Sequence, residues 1–230
     1  MCIRDSPLTV ISVQAQCLQL MIDGGKVDRD ALGAAVRKID MTIDRIARIV
    51  RGLRSFARDG SHDPFEKVQV HRVVSETIEF CRARFLNNAV ALRIGPIPLD
   101  IEVDARPVQI SEVLLNLLNN AFDAVEGQSE RWVEIAALLD GDWWELRVRD
   151  SGVGVPEENR DRIMQPFFTT KGIGKGTGLG LSLSRGIAES HGGKLFLDPK
   201  ATRTEFVLRL PVRQKVITDN GNSSREKAAA

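Results

Sequence analysis

Asp150 ends an apolar run (LRVRD, Leu146 to Asp150) and is followed at once by Gly152 and Gly154. A second cluster lies further on: Gly172, Gly174, Gly176, Gly178 and Gly180, with Lys171, Lys175 and Thr177 among them. Glycines at this density permit positive backbone angles and let main-chain N–H groups approach a ligand closely. Lysines in the same loop supply charge for phosphates. The apolar segment from Leu179 has the pattern of a helix whose amino end faces that loop. The chemistry that suits these types and spacings is binding of a nucleotide phosphate.

Two familiar phosphate fingerprints fail here. A P-loop reads G-x-x-x-x-G-K-[ST]; Lys175 follows Gly174, but Thr169 stands where the first glycine belongs and Gly176 where the hydroxyl residue belongs. The dinucleotide fingerprint reads G-x-G-x-x-G with an acidic residue about 20 positions downstream. In this chain the acidic residue, Asp150, precedes the glycines. The cradle is of another kind.

A second constellation lies on a helix expected from Arg106 to Glu126. At helical pitch Glu112, Asn116, Asn119, Asn120 and Asp123 fall within an arc of about 100°. Ile110, Leu114, Leu117, Leu118, Ala121 and Val125 lie opposite. Asparagine is a poor helix former, so three within five positions cost local stability and need a reason. Carboxamide oxygens are hard ligands suited to Mg²⁺, which bridges to substrate phosphates.

The elements that must position these residues follow from periodicity. Leu8, Ile11, Ala15, Leu18 and Ile22 mark one helix, broken at Asp23-Gly24-Gly25. From Asp28 a second runs through Leu32, Val36, Ile39, Ile43, Ile46, Val50, Leu53 and Ala57, a heptad seam. Such a pair makes an antiparallel hairpin with an apolar face still to bury, and pairing two copies as a four-helix bundle buries it. The alternative is that the seam packs on the chain's own second domain. Ser55 to Pro64 reads as a linker. A strand (Lys67–Val70), a helix (His71–Phe85) and strands near Val90–Ile94 and Leu99–Val103 come next. After the asparagine helix follow a hairpin (Trp132–Leu139, Trp143–Val148), the glycine segment, a helix (Leu179–His191) and strands at Lys194–Leu197 and Thr204–Leu210. The class is α+β, a sheet covered by helices on one face. The expected divisions are residues 1–58 for the hairpin, 59–65 for the linker, 66–212 for the mixed domain and 213–230 for a disordered tail.

Composition narrows the function. With 230 residues, 43% hydrophobic, the chain suffices for one ordinary domain and a smaller element. A formal charge of +1 and the lack of a basic, aromatic-laced block argue against nucleic acid. Cys2, Cys17 and Cys81 show no C-x-x-C spacing, which fits a reducing cytoplasm, with the thiols buried or incidental. No apolar run reaches membrane-spanning length, so the expectation is a soluble cytoplasmic chain, attached to a membrane only through segments upstream of it, if at all.

N-L-L-N-N-A (116–121), D-S-G-V-G (150–154), F-F-T-T-K (167–171) and G-K-G-T-G-L-G-L (174–181) resemble, in order, the N, G1, F and G2 boxes of sensor histidine kinases. That ATP-binding domain belongs to a superfamily shared with gyrase, heat-shock chaperones and MutL repair proteins. The resemblance covers Phe65 to Val212 and implies a Bergerat-type α/β sandwich with a mixed sheet. The hairpin resembles the family's dimerisation and phosphoacceptor hairpin. Its R-I-V-R-G-L-R-S-F-A-R (Arg48 to Arg58) is similar to nitrogen-regulation-type kinases.

The resemblance implies roles. Asn120 matches the Mg²⁺-ligating asparagine, Asn116 lines the phosphates and Asp123 lies near the nucleotide. Asp150 matches the carboxylate that accepts from the adenine amino group, with Gly152 and Gly154 passing close to the base. Thr170 lies beside Lys171; Lys171 and Lys175 reach the phosphates, and Gly176, Thr177, Gly178, Leu179 and Gly180 cradle them. Thr204 closes the adenine pocket, and Phe167 and Phe168 anchor a lid between Val155 and Lys175. The implied cofactors are ATP and Mg²⁺. The implied partners are a second copy of the chain and a response-regulator receiver domain, which would dock on the hairpin near Val10 to Gln19.

One motif departs. The acceptor box H-E-x-x-N-P would end on Pro7, which places its histidine on Cys2, its glutamate on Ile3 and its asparagine on Ser6. No catalytic residue is therefore identified, and self-phosphorylation of this chain is not expected. Two explanations stay open: native sequence replaced before Pro7, or a non-catalytic ATP-binding scaffold. His62, His71 and His191 do not replace the acceptor; His191 is expected to cap helix carbonyls. A gyrase- or MutL-type ATPase is disfavoured, because Asn116 stands where those enzymes place a glutamate base. The expected function is ATP-dependent phosphoryl transfer to a hairpin histidine and on to a regulator aspartate.

Overall fold

The computed structural model describes residues 7–24, 28–57, 64–171 and 176–214. Helices α1 (Pro7–Asp23) and α2 (Arg29–Ala57) fold back on one another as the hairpin. Asp28 starts α2: its Oδ1 accepts from the N–H groups of Asp30 and Ala31 at 2.9 and 3.4 Å. Among the described side chains of the hairpin Ala35 alone is buried, while Val36, Ile43, Leu8 and Leu20 are exposed. Along the described part of the seam Val36 and Ile43 thus stay exposed, while Leu32, Ile39 and Ile46 are half-buried.

The rest is a sheet with helices on one face. In chain order come β1 (Glu66–Gln69), α3 (Val70–Asn87), β2 (Ala91–Ile94), β3 (Glu102–Ala105), α4 (Pro107–Val125), β4 (Trp132–Asp140) and β5 (Trp143–Asp150). They are followed by α5 (Glu157–Arg160), α6 (Gly180–Ser190), β6 (Lys194–Leu197) and β7 (Glu205–Pro211). The main sheet has the order β2-β4-β5-β7-β6, parallel only at β2–β4, and β1 pairs separately with β3. The mixed sheet is as the sequence leads one to expect. β3 begins later than expected, because Pro96 and Pro98 offer no N–H and Leu99 falls in an exposed turn, leaving Ile101 and Val103 buried.

Register makes the two faces of the sheet unlike. Val133, Ile135 and Ala137 of β4 stand beside Asp150, Val148 and Leu146 of β5, and β7 continues the rows with Phe206, Leu208 and Leu210. All are buried, most under Leu114, Leu117, Leu118 and Val125 of α4. Trp144 joins this layer and Trp143, one residue earlier, faces the other way beneath Arg209. That outer face is laced with ion pairs. Glu205, almost wholly buried, takes Arg147 at 2.7 Å and Arg149 at 2.6 Å.

His191 knots the far end of α6 to the rest. Its ring is fully buried; Nδ1–H donates to the Ile187 carbonyl at 2.8 Å, and Nε2 accepts the Arg106 N–H at 3.2 Å, at the start of α4. Phe65 stands edge-on at 5.2 Å. Burial and then the charge of Arg106 hold the imidazole below its ordinary pKa, in its neutral form. The carbonyl cap is as expected; the bond to α4 is an addition. Gln214 donates to the His191 carbonyl at 2.9 Å and Arg213 to Asp104 at 3.1 Å, so these two residues, assigned to the tail by sequence, are tied to the sheet domain. The remainder of the tail, most of the linker with His62, and Cys2 lie outside the described residues.

Candidate nucleotide-binding site

α4 buries the face carrying Leu114, Leu117 and Leu118 and so turns its asparagines outward, as its periodicity dictates. They line an open cleft of about 840 Å³ between α4 and the segment 167–181. Asn116, Asn119, Asn120 and Asp123 form its floor. Thr170, Lys171, Gly176, Thr177, Gly178 and Gly180 form the opposite wall. Leu179 lines a smaller adjoining cavity of about 140 Å³ with Glu112 and Asn116. Lys175, Gly172 and Gly174 lie outside the described residues.

The polar groups of this cleft are already engaged with one another. Lys171 Nζ donates to Asn120 Oδ1 at 3.1 Å and to Asp123 Oδ2 at 2.6 Å. Asp123 Oδ1 accepts Arg84 Nη2 at 3.0 Å, and Arg84 also donates to Asn119. Asn116 donates to Ser184 Oγ of α6 at 2.9 Å. The oxygens of Asn120 and Asp123 therefore face a cation and suit one. Among the described residues no three His, Cys, Asp or Glu side chains converge on a metal position, so the protein alone builds no cage.

Close approach explains the glycines. Gly178 has φ +67° and its carbonyl accepts the Phe167 N–H at 2.8 Å; a Cβ there would overlap the Phe167 carbonyl group. At Gly180 a Cβ would collide with the Asn116 carboxamide, which is how α6 comes to start against α4. Phe167 itself adopts φ +66°. The residue is 70% exposed, contrary to the expected lid anchor, because the turn that brings its backbone to Gly178 aims the side chain at solvent. Phe168 does pack, half-buried, with Arg162 stacked 4.6 Å from its ring centre.

Asp150 belongs to a second cluster, behind α4. It is buried at the end of β5, where Oδ1 accepts the Gly152 N–H at 2.9 Å. Burial raises its pKa to about 6, against the opposing pull of the Gly152 N–H, the Thr204 hydroxyl and the Arg203 charge. A Cβ on Gly152 would meet the Ala124 carbonyl at 2.9 Å, so this turn lies against α4 one residue beyond Asp123. Gly154, at φ +92°, faces open space. Asp150, Gly152, Gly154 and Thr204 do not line the large cleft. α4 is the element that brings the two clusters together.

Sequence reasoning missed Arg84, Ser184 and Arg203. Only Ser184 carried a signal, lying one helical turn after Gly180.

Comparison with known proteins agrees with this arrangement. Residues 105–214 match the family described as histidine kinase-, DNA gyrase B-, and HSP90-like ATPase. The two-component sensor PprA of Pseudomonas aeruginosa is 30% identical over 213 residues, covering 90% of this chain and 23% of PprA. The sensor histidine kinase ZraS of Escherichia coli is 31% identical over 170 residues, covering 74% of this chain and 36% of ZraS. The chain thus spans about a quarter to a third of these relatives' length. The nucleotide-free catalytic domain of histidine kinase ThkA is 28% identical with a TM-score of 0.59, covering 65% of this chain and 96% of that domain. ThkA in complex with the response regulator TrrA has the same fold at a TM-score of 0.70 and 22% identity, covering 90% of this chain and 58% of ThkA. Similarity that runs through hairpin, asparagine helix and glycine segment alike gives one assignment: the chain belongs to the sensor histidine kinases, and its nucleotide-binding domain to the ATPase family they share with DNA gyrase B and HSP90.

Proposed function

We propose that this chain binds Mg²⁺·ATP between α4 and the 167–181 segment and serves, within its full-length protein, to deliver the γ-phosphoryl group to a histidine and thence to a response-regulator aspartate. The observation that carries the reading is the paired engagement of Asn120 and Asp123 by one lysine. It joins the polar face of α4 to the glycine-rich wall across a cleft of nucleotide size. Asn120 would hold the metal, with Asn116 and Asp123 beside the phosphates. Mg²⁺ held there would supply positive charge to the phosphates.

The chain's own groups do the rest. Asp150, with its partner Thr204, accepts from the adenine amino group and rejects bases that would leave a buried carboxylate unpaired. The main chain at Gly176 to Gly180 offers N–H groups to the phosphates, and Lys171 and Lys175 offer charge. Asn116 cannot act as a base, so water is not activated there and the phosphoryl group is kept for transfer. The exposed seam residues Val36 and Ile43 support a homodimer, and the ThkA–TrrA assembly supports a response regulator as the next acceptor. No helix among the described residues is long and apolar enough to cross a membrane.

Calorimetry tests the binding. Titration of the chain with a non-hydrolysable ATP analogue and Mg²⁺ should give heat that Asn120→Ala and Asp150→Ala abolish or strongly reduce. No heat from the unaltered chain, or the same heat from all three, would sink the reading.

A second reading, a non-catalytic scaffold switched by nucleotide, is favoured by Cys2 at the acceptor position. Incubation with γ-labelled ATP should leave the chain unlabelled. Label gained by Cys2→His with Ile3→Glu supports the kinase; none gained supports the scaffold.

A further inference from the structure

Arg84 reaches the nucleotide cleft from α3 and is the one residue of that helix to line it. Its guanidinium lies 4.0 Å above the Phe122 ring, and that ring is buried edge-on against Phe85 at 5.3 Å. From this platform Arg84 donates to Asn119 and to Asp123 Oδ1, two successive outward positions of α4. The other oxygen of the same carboxylate takes Lys171 at 2.6 Å. One carboxylate is therefore shared by a fixed cation from α3 and a second cation from the opposite wall. The three groups together carry a net positive charge.

We propose that Arg84 is a positioning residue of the nucleotide site: it balances the Asp123 charge so that Lys171 can leave that carboxylate for an incoming polyphosphate. The inference rests on the reading of the cleft as a nucleotide site. Without Arg84, departure of Lys171 would leave a bare carboxylate facing phosphate oxygens, an arrangement that repels the ligand and holds the lysine back. With Arg84, the same departure leaves a hydrogen-bonded neutral pair, and Lys171 becomes available as counter-charge. The Asp123 side chain is 29% exposed and that of Lys171 32%, so water screens the pair only in part and the lysine is not trapped. Arginine suits the fixed role, since its planar fork serves Asn119 and Asp123 together while its face stacks on Phe122.

The test compares Arg84→Ala, Asp123→Asn and the double variant by calorimetry with Mg²⁺ and ADP, alongside hydrogen exchange at the Thr170 and Lys171 amides without nucleotide. Arg84→Ala should weaken nucleotide binding about tenfold. It should also slow exchange at those amides, because Lys171 becomes the only cation on Asp123. In the Asp123→Asn background, removing Arg84 should change affinity less than about twofold, the pairwise coupling having been removed. An equal loss in both backgrounds, or faster exchange in Arg84→Ala, would overturn the proposal in favour of plain packing. Should Arg84→Ala not fold, Arg84→Gln, which can keep the bond to Asn119 without the charge, gives the same discrimination. Failure of the unaltered chain to bind ADP defeats the reading of the cleft; binding with indifferent variants defeats only the role of Arg84.

Discussion

Thr204 holds Asp150 at two points. Its carbonyl accepts the Asp150 N–H at 3.1 Å, and its hydroxyl favours the charged form of the Asp150 carboxylate. The two residues thus fix both the backbone and the charge of the group assigned to the adenine. That carboxyl titrates at about 6 because burial outweighs its hydrogen bonds. Only the ionised form accepts from an amino group at both oxygens, and a raised pKa means that ionisation is lost as pH falls. Nucleotide affinity should therefore drop about tenfold between pH 7.5 and pH 5. Asp150→Asn, measured with the same nucleotide so that phosphate titration cancels, should show a flatter profile. Thr204→Val removes a bond that favours the charged form and should move the midpoint upward. A wild-type profile parallel to that of Asp150→Asn would refute the assignment.

Asn120 should matter only when metal is present. Its Oδ1 already sits against the Lys171 ammonium, so a cation at that oxygen is tolerated by its surroundings. Asn120→Ala should lower affinity for Mg²⁺·ADP about tenfold or more. In EDTA the variant and the parent should differ less than about twofold, given that a metal ligand contributes nothing without metal. Equal losses in both buffers would show that Asn120 contacts the nucleotide directly.

How much of this was legible in the sequence differs by residue. The α4 face could be read because asparagine in mid-helix is locally unfavourable and because Leu114, Leu117 and Leu118 fix which side is buried. Asp150 could be read from its place between a strand and two glycines. Arg84 could not: α3 carries Arg72, Arg82 and Arg84, and the first two make ordinary surface pairs with Glu76 and Glu79. Only the packing of α3 on α4 distinguishes the third. The exposure of Phe167 was hidden for a similar reason, since its positive φ is imposed by Gly178 across the turn and not by its own type. Long-range contacts such as Phe65 on His191 leave no trace in local periodicity.

Gly178 and Gly154 separate two reasons for glycine. Both have positive φ, +67° and +92°, but a Cβ at Gly178 would meet the Phe167 oxygen at 2.7 Å while one at Gly154 would meet nothing within 4 Å. Gly154→Ala should cost about 1 kcal/mol, the strain of an L-residue in that region. Gly178→Ala should cost more and should also weaken nucleotide binding, because the Phe167–Gly178 turn shapes the wall of the cleft. Thermal melts and calorimetry on the two variants check this. Equal destabilisation, with affinity unchanged in both, would remove Gly178 from the site.

The hairpin predicts its own partner. Val36 and Ile43 lie on the heptad seam of α2 and are 44% and 50% exposed, and Ala35 is the one buried residue among the described side chains of α1 and α2. Most helical stability comes from packing an apolar face, and the described side chains of this hairpin bury little of theirs. A second hairpin laid against the seam would cover those residues as a four-helix bundle. Sedimentation velocity should accordingly find a dimer at micromolar concentration. Val36→Glu and Ile43→Glu each place a charge in the shared core and should yield monomers whose nucleotide affinity is preserved, because neither residue lines the cleft. An unaltered chain that sediments as a monomer, or charged variants that remain dimeric, would place the dimer contact elsewhere.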